Sequence, residues 1–350
     1  NDWNSQWYSG TLFDSPLANS KLQRKDELKK SLSSMLFAEV TPLKNLTVRS
    51  SFSFYDYNRY DDNFYPSSLP TRTSKNTGAY AYKRSYRASN ILNENTINYK
   101  KVWSKKHNFD ALYGFTYQSH WYANLFANGD GYFIDDIETN DLTAVPSKET
   151  LNAGSSLEEQ KRFSHLGRIN YNYASKYYLT LTGRADAASN FAANHKWGIF
   201  PSAAFKWNLK NEDFLKNFAP ISELAVRLSG GVSGNDAISK YQSLSRLTST
   251  SSGYIFDGAM PAAYYPSRIA NEGLTWERTT SYNLGLDLSI LNNRFDFTLD
   301  FYQAKTRDLL LTVQLPSQTG YTSRITNIGA TSNRGVELTV NSNNITKPKF

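Results

Sequence analysis

Apolar and polar residues alternate with few errors between Leu274 and Ile290. One face of an extended chain would carry Leu274, Trp276, Tyr282, Leu284, Leu286, Leu288 and Ile290, and only Arg278 and Thr280 interrupt it. A period of two predicts a strand with one apolar and one polar face. The run is about three times as long as an ordinary globular strand. Such a strand is typical of a barrel wall that meets lipid on one side and water on the other.

Shorter alternating runs recur through the chain, and each predicts another strand. The clearest lie at 46–54, 109–118, 167–173, 179–184, 224–229, 295–301 and 336–341, and weaker candidates lie at 31–41, 86–102 and 199–208. The total is about eleven strands. Because bacterial single-chain barrels have even strand numbers and open edges are costly in lipid, we expect further strands outside this sequence.

The connections between the predicted strands alternate between short and long. The short ones are 42–45, 104–106, 175–176 and 291–293, and the long ones are 59–85, 121–160, 187–198, 233–272 and 307–329. The medium connection 209–221 is predicted to hold one helical turn and counts as short. Short periplasmic turns and long extracellular loops are typical of outer-membrane barrels. We therefore predict an all-β fold, a transmembrane antiparallel up-and-down β-barrel, with 1–350 forming part of one barrel domain.

The composition is compatible with a barrel, although its average looks soluble. The 350 residues are 39% hydrophobic with a mean hydropathy of −0.57, and no run of about 18 apolar residues predicts a transmembrane helix. A β-barrel places its apolar residues at alternate positions, so this average does not exclude a membrane. The chain has 24 Tyr, 20 Phe and 7 Trp, and Tyr and Trp favour membrane interfaces.

Little in the sequence points to catalysis. Cysteine is absent, which excludes disulfides and thiolate chemistry. His107, His120, His165 and His195 have no metal-binding spacing, and we assemble no Ser-His-Asp-like site of an outer-membrane lipase or protease. We predict that the protein is not an enzyme. The net charge of +8 allows anionic partners such as lipopolysaccharide, whereas the even spread of Lys and Arg argues against nucleic acid.

Six segments between about 180 and 340 carry a further signal through their order and spacing. They lie at 181–207, 211–215, 226–235, 271–279, 293–310 and 315–338. They include Asn211-Glu-Asp-Phe-Leu215, Leu274-Thr-Trp-Glu277 and Asn333-Arg-Gly-Val-Glu-Leu338. Together they resemble the SusC/RagA-like family of TonB-dependent outer-membrane transporters. Residues 1–175 resemble this family mainly by pattern.

The resemblance implies a barrel of about 22 strands, of which this chain would supply about eleven, with the plug domain and the final strands outside it. It also implies uptake of oligosaccharides or peptides into the periplasm, energised by TonB, with a SusD-like surface lipoprotein as a lid. Two other interpretations remain open. One is a soluble all-β, lectin-like carbohydrate-binding module, and the other is a TonB-dependent siderophore or metal-chelate receptor.

Seven charged residues lie on the polar faces of the predicted strands. They are Arg168, Arg184, Arg227, Asp287, Asp296, Asp300 and Glu337. An Arg that faces lipid at the bilayer midplane costs roughly 2–4 kcal/mol, so we predict that all seven face the lumen or the plug. They are expected to form cross-strand pairs or plug contacts, and ordinary polarity of a wet wall is the simpler alternative.

Aromatic residues in the long loops are candidate ligand contacts. They are Trp121, Tyr122, Phe126, Tyr254, Phe256, Tyr264 and Tyr265. Aromatic faces stack on the apolar faces of sugars, and Tyr adds a polar tip. A membrane-interface belt suits Trp121 and Tyr122 equally well, and loop packing is the alternative for the 254–265 group.

One acidic segment is a candidate calcium site. Its carboxylates belong to Asp130, Asp135, Asp136, Glu138 and Asp141, which are hard oxygen ligands. EF-hand spacing is absent, so a solvated extracellular loop is the simpler interpretation. No other metal or cofactor is predicted.

Overall fold

The structure is a computed structural model that describes residues 16–250, 255 and 263–344. Most of these residues belong to β-strands. In chain order the strands are β1 (Arg24–Leu43), β2 (Leu46–Tyr65), β3 (Ala79–Trp103), β4 (His107–Tyr132), β5 (Leu151–Tyr173), β6 (Tyr177–Ala188), β7 (Trp197–Asn208), β8 (Ile221–Asn235), β9 (Arg246–Thr250), β10 (Ala263–Arg268), β11 (Glu277–Ile290), β12 (Phe295–Arg307), β13 (Leu310–Gln314), β14 (Ser323–Asn327) and β15 (Ala330–Ser342). The helices α1 (Pro16–Leu22) and α2 (Pro70–Lys75) are short.

One sheet contains eleven of the described strands, in the order β1 to β8, β11, β12 and β15. β11 pairs antiparallel with β8 and β12, and β12 with β15. The predicted all-β architecture and the predicted strand number are therefore confirmed. The weak candidates at 31–41, 86–102 and 199–208 lie within β1, β3 and β7. Among the described residues, no helix is long and apolar enough to cross a membrane.

The alternation of short and long connections is confirmed except at one pair, because the connection 189–196, predicted to be long, is shorter than 209–220, which was counted as short. Short connections occupy 44–45, 104–106, 174–176, 209–220 and 291–294, and long ones occupy 66–78, 133–150, 189–196, 236–276 and 308–329. The medium connection contains the predicted helical turn, at Leu209–Asn211.

The predicted loops at 59–85 and 121–160 were too long. Strand pairing continues through their outer residues, so β2 to β5 reach 20–26 residues. The connections 236–276 and 308–329 contain hairpins of their own, β9–β10 and β13–β14.

The chain divides into two compact units. The first comprises 1–36, 52–92 and 119–159, and the second comprises 37–51, 93–118 and 160–350. The first unit contains the parts of β2 to β5 next to the long connections, together with α2. The second contains the parts next to the short turns and all of β6 to β15. The assignment of 1–350 to one barrel domain stays a prediction.

Strand register in the second unit separates an apolar face from a charged face. Leu228, Leu284, Phe301 and Val336 form one row across β8, β11, β12 and β15. The adjacent row on the other face is Arg227, Gly285, Asp300 and Glu337. We call the apolar face outward and the charged face inward, because only the apolar face suits lipid.

Aromatic rings form two groups on the outward face of the second unit. The group nearer the long connections contains Tyr113, Phe115, Phe163, His165 and Trp197. The group nearer the short turns contains Trp103, His107, Tyr171, Tyr173, Tyr177 and Trp207. Aromatic girdles of this kind flank the hydrocarbon band of membrane barrels. His107 and His165 are therefore members of ring clusters, bonded through Nδ1 to tyrosine hydroxyls at 2.7 and 2.8 Å.

Candidate functional site

Five aromatic side chains of β2, β3 and β4 form two contacting sets in the first unit, Tyr57 with Tyr86 and Tyr122, and Tyr82 with Phe126. We call this group, Tyr57, Tyr82, Tyr86, Tyr122 and Phe126, the tyrosine ladder. Tyr86 contacts Tyr57 edge-on at a centroid distance of 6.0 Å and stacks on Tyr122 at 5.8 Å. Tyr82 stacks on Phe126 at 6.3 Å. The rings are half-buried, so each has an open surface and a fixed orientation.

Strand alternation places Tyr122 and Phe126 on one face of β4. Trp121 points to the opposite face, where the guanidinium carbon of Arg87 lies 5.7 Å from its ring centroid. The prediction that these three aromatic residues lie in a loop was wrong. β4 continues to Tyr132 because its pairing with β3 and β5 continues.

Polar groups border the tyrosine ladder. Arg84 donates from Nε to Oδ1 of Asn124 at 2.5 Å, and its guanidinium lies 5.7 Å from the Tyr86 ring centroid. An aromatic surface with neighbouring guanidinium and hydroxyl donors can bind a ligand that has both apolar and polar faces. Sequence reasoning missed Tyr82 and Tyr86, although tyrosine at positions 80, 82 and 86 shows a period of two.

The other predicted ligand contacts are separate from the ladder. Tyr264 and Tyr265 lie on β10 and are 74% and 50% exposed. They pair in register with Ser249 and Thr248 of β9. Tyr254 and Phe256 lie outside the described residues. A ligand-binding role for these four remains a prediction.

The seven charged residues predicted to face the lumen share one face of the sheet. Register places Arg168 and Arg184 of the second unit on the same face as Arg227, Asp287, Asp296, Asp300 and Glu337. The strongest pairing is a cross-strand network. Arg227 donates from Nε and from its second terminal nitrogen to the two carboxylate oxygens of Asp287, at 2.8 and 3.0 Å. It also reaches the Asp300 carboxylate at 3.2 Å.

A glycine makes this network possible. Gly285 lies between Arg227 and Asp300 in the inward row of side chains. A Cβ atom at Gly285 would lie 2.6 Å from the guanidinium carbon of Arg227 and 2.6 Å from Oδ1 of Asp300. A side chain there would displace the Arg227 guanidinium and the Asp300 carboxylate, so this path of the guanidinium across β11 depends on a glycine at position 285.

The long connections of the second unit are anchored by a buried cluster that we call the loop core. It consists of Ala188, Phe191, Phe200, Leu274 and Trp276, each at most 7% exposed. The Trp276 ring lies 5.2 Å from Phe191 and 5.4 Å from Phe200 between centroids, and its Nε1 donates to the Lys196 carbonyl at 2.9 Å. The predicted strand from Leu274 to Ile290 therefore starts three residues too early. Its first two apolar residues pack under loops, and β11 begins at Glu277.

Asparagine side chains connect the same loops. Asn190 donates to the Ile238 carbonyl at 3.2 Å, and Asn271 donates to the Ile325 carbonyl at 2.7 Å. Asn327 donates to the Thr275 carbonyl at 2.8 Å. Three of the six segments that carry the family resemblance, 181–207, 271–279 and 315–338, thus meet here. Their asparagine side chains hold the long connections in place.

Four of the five predicted calcium ligands have separate partners. Asp130 pairs with Arg72, and Glu138 pairs with Arg24. Asp135 accepts from the Ser67 backbone and hydroxyl at 3.0 Å each. Asp141 accepts from the Thr143 hydroxyl at 2.6 Å, and bonds from Thr143 hold the pKa of this carboxyl below its usual value. Across 16–250 and 263–344, no three His, Cys, Asp or Glu side chains are placed to hold a metal ion.

One short turn is closed by the carboxylate of Glu212. It accepts from Lys176 Nζ at 2.8 Å, from the Tyr177 hydroxyl at 2.6 Å and from Trp207 Nε1 at 3.1 Å. The bond from Lys176, followed by those from Tyr177 and Trp207, lowers the pKa of Glu212 to about 2 from 4.5. The turn between β7 and β8 is thereby bonded to the turn between β5 and β6.

This lowered pKa predicts the pH dependence of the turn. The stabilisation by Glu212 is complete above its unfolded pKa of 4.5 and is lost as the pH falls to about 2. Glu212→Gln should therefore open the turn at neutral pH and should match the unchanged protein near pH 2. Limited proteolysis within 209–220 over this pH range measures the effect. Asp213→Asn is the control, because Asp213 is 95% exposed and 3.9 Å from Lys176. Equal effects of the two variants would contradict the assignment.

The antiparallel strands, the sorted connections and the charged inward face define the wall of an outer-membrane β-barrel protein. The chain belongs to the family described as TonB dependent receptor-like, beta-barrel, whose model matches residues 2–346. Its relatives are outer-membrane proteins, and this location excludes the soluble lectin-like alternative.

Named relatives place the chain among SusC/RagA-like proteins. It is 34% identical to TonB-dependent receptor P3 of Formosa agariphila over 88% of the chain and 30% of that protein. It is 34% identical to TonB-dependent receptor SusC of Bacteroides thetaiotaomicron over 69% of the chain and 24% of that protein. The RagAB peptide transporter matches with a TM-score of 0.83 and 25% identity, over 94% of this chain and 36% of the other. The chain therefore spans about a quarter to a third of the proteins that it matches.

Proposed function

We propose that this chain forms part of the wall of an importer that takes up oligosaccharides or peptides, and that the tyrosine ladder contacts the cargo. The observation that carries this proposal is the group of aromatic rings on strands that lead into the long connections, and the proposal takes their shared face to be the one that meets the lumen. Family membership supports transport rather than catalysis. Energy from TonB and a SusD-like lipoprotein lid belong to the same proposal. One structural relative, RagAB, is a peptide importer.

The ladder suits a cargo that slides past a wall. Each of its rings already contacts another ring, so binding costs little additional side-chain entropy. Tyr82 and Tyr86 each offer a ring face together with a hydroxyl group, and Tyr122 offers a ring face while its hydroxyl bonds to Glu158. Sugar rings and peptide side chains both have apolar faces that stack on such surfaces, while Arg84 can donate to their oxygens.

Binding measurements on the full-length transporter test this role. Tyr86→Ala together with Tyr122→Ala should weaken cargo binding by roughly 10-fold or more, because an aromatic contact contributes about 0.5–1.5 kcal/mol beyond its buried area. Defined malto-oligosaccharides and a mixed peptide library serve as probes in calorimetry and mass spectrometry. Trp121→Ala is the matched control, since Trp121 adjoins Tyr122 but points to the opposite face. Unchanged binding in the double variant, or an equal loss in the control, would refute the role of the ladder.

A further inference from the structure

Charges are sorted between the two faces of β8, β11, β12 and β15. The carboxylates of these four strands all lie inward, at Glu223, Glu277, Asp287, Asp296, Asp300 and Glu337. Four of the five cations on these strands lie outward, at Arg278, Lys305, Arg307 and Arg334. Arg227 is the exception, and it is neutralised by Asp287 and Asp300. We call the four outward cations the outer basic patch.

The outer basic patch is compact. Arg278 and Arg307 are direct cross-strand partners. Lys305 lies one outward row below them, opposite Thr280, and Arg334 lies one row further, opposite Gln303. Two residues along a strand span about 7 Å, so Lys305 lies within side-chain reach of the Arg278–Arg307 pair, and Arg334 lies about 14 Å along the sheet from that pair.

The patch lacks a counter-charge in the protein. Among the described residues, none of these four side chains has an acidic or hydrogen-bonding side-chain partner, and all four are exposed. Like charges that lie directly opposite in a sheet repel each other. An anion bound between Arg278 and Arg307 would remove this repulsion.

The position of the patch indicates which anion is available. The next outward row toward the short turns contains Leu284, Phe301 and Val336, where the apolar band begins. The patch adjoins the long connections, which are extracellular in barrels of this kind. It therefore lies at the depth of the lipid headgroups of the outer leaflet.

An apolar groove reaches the patch on the same face. It has a volume of about 960 Å³, and small residues at Gly167, Gly183, Ala203 and Gly230 form its floor. Thr280 and Tyr282 line its end, and they follow Arg278 along the outward face of β11. The groove lies on the outward face, which meets acyl chains in a membrane barrel, and Tyr113 of the aromatic group nearer the long connections lines it.

We propose that the outer basic patch binds the phosphate of an outer-leaflet glycolipid, and that an acyl chain of the same lipid occupies the adjacent groove. Arginine binds phosphate through paired N–H donors, which suits the facing Arg278 and Arg307. An acidic protein surface would satisfy the charges but would not explain the continuous groove.

The test uses the full-length transporter in phosphatidylethanolamine nanodiscs that contain bisphosphorylated lipid A. Native mass spectrometry measures the lipid A retained. A variant with Arg278→Gln, Lys305→Gln, Arg307→Gln and Arg334→Gln should lose about five-fold in affinity per cation, the usual contribution of a basic side chain at an anionic lipid surface. Rising salt should weaken binding by the unchanged protein. Dephosphorylated lipid A should bind as weakly to the unchanged protein as lipid A binds to this variant.

Two further variants separate binding from folding. The matched control replaces Lys101, Lys105, Lys106 and Lys216 by Gln, which removes four exposed cations near the short turns and should leave retention unchanged. Arg278→Lys, Arg307→Lys and Arg334→Lys together keep the charge and should retain most of the binding. Undiminished retention by the Gln variant, equal binding of dephosphorylated lipid A, or an equal loss in the control would overturn the proposal. The proposal would also be overturned if the Gln variant lost an acidic protein partner while it retained its lipid.

Discussion

Replacing Trp276 by alanine is expected to lower the free energy of unfolding of the loop core by about 3–5 kcal/mol. Trp276 is 5% exposed and contacts Phe191 and Phe200, so its removal leaves a cavity that neighbouring side chains cannot fill. It also removes one of the two donors to the Lys196 carbonyl, the other being the backbone nitrogen of Ala188. Because Phe191, Leu274 and Trp276 of the loop core belong to connections, we expect local opening of the loops while the sheet persists.

Proteolysis and heat denaturation distinguish these outcomes. In the full-length transporter, Trp276→Ala should expose 189–196 and 308–329 to protease at temperatures where the barrel still migrates as folded on gels. Trp197→Ala is the control, because Trp197 is 50% exposed on the outward face. It should leave loop protection nearly unchanged. Equal protease sensitivity in both variants would show that the loop core does not anchor the loops.

Replacing Arg227 by methionine is expected to destabilise the sheet by about 1–3 kcal/mol. The change leaves Asp287 and Asp300 facing each other without a cation. Removal of one partner from a fully buried ion pair costs about 3–5 kcal/mol, and we discount this because the Arg227 side chain is 33% exposed. The shift in the thermal unfolding midpoint in detergent measures the loss.

Two companion variants identify the source of this loss. Arg227→Met combined with Asp287→Asn and Asp300→Asn should recover much of the stability, because the repulsion disappears together with the cation. Gly285→Leu should destabilise the sheet although it removes no charge, since its side chain would occupy the path of the guanidinium. A triple variant less stable than Arg227→Met alone would show that charge balance is not the cause.

Much of the architecture was determined by the sequence. The period of two in segments such as 295–301 predicts strands because an extended backbone sends successive side chains to opposite faces. The lengths of the connections distinguished the two ends of the sheet. The period of two placed Arg227, Asp287 and Asp300 on one face. These properties are local, because each can be predicted from one strand and its adjoining turns.

Only the tertiary structure decided which residues meet. Alternation assigns a face but not a partner, because register depends on turn geometry and on neighbouring strands. The passage of Arg227 over Gly285 therefore required the pairing of β8, β11 and β12. In the same way, Leu274 and Trp276 read as strand residues by period, yet they are buried by loops that are remote in sequence. Long-range packing decides between a lipid-facing ring and a buried one, and the alternating pattern is the same for both.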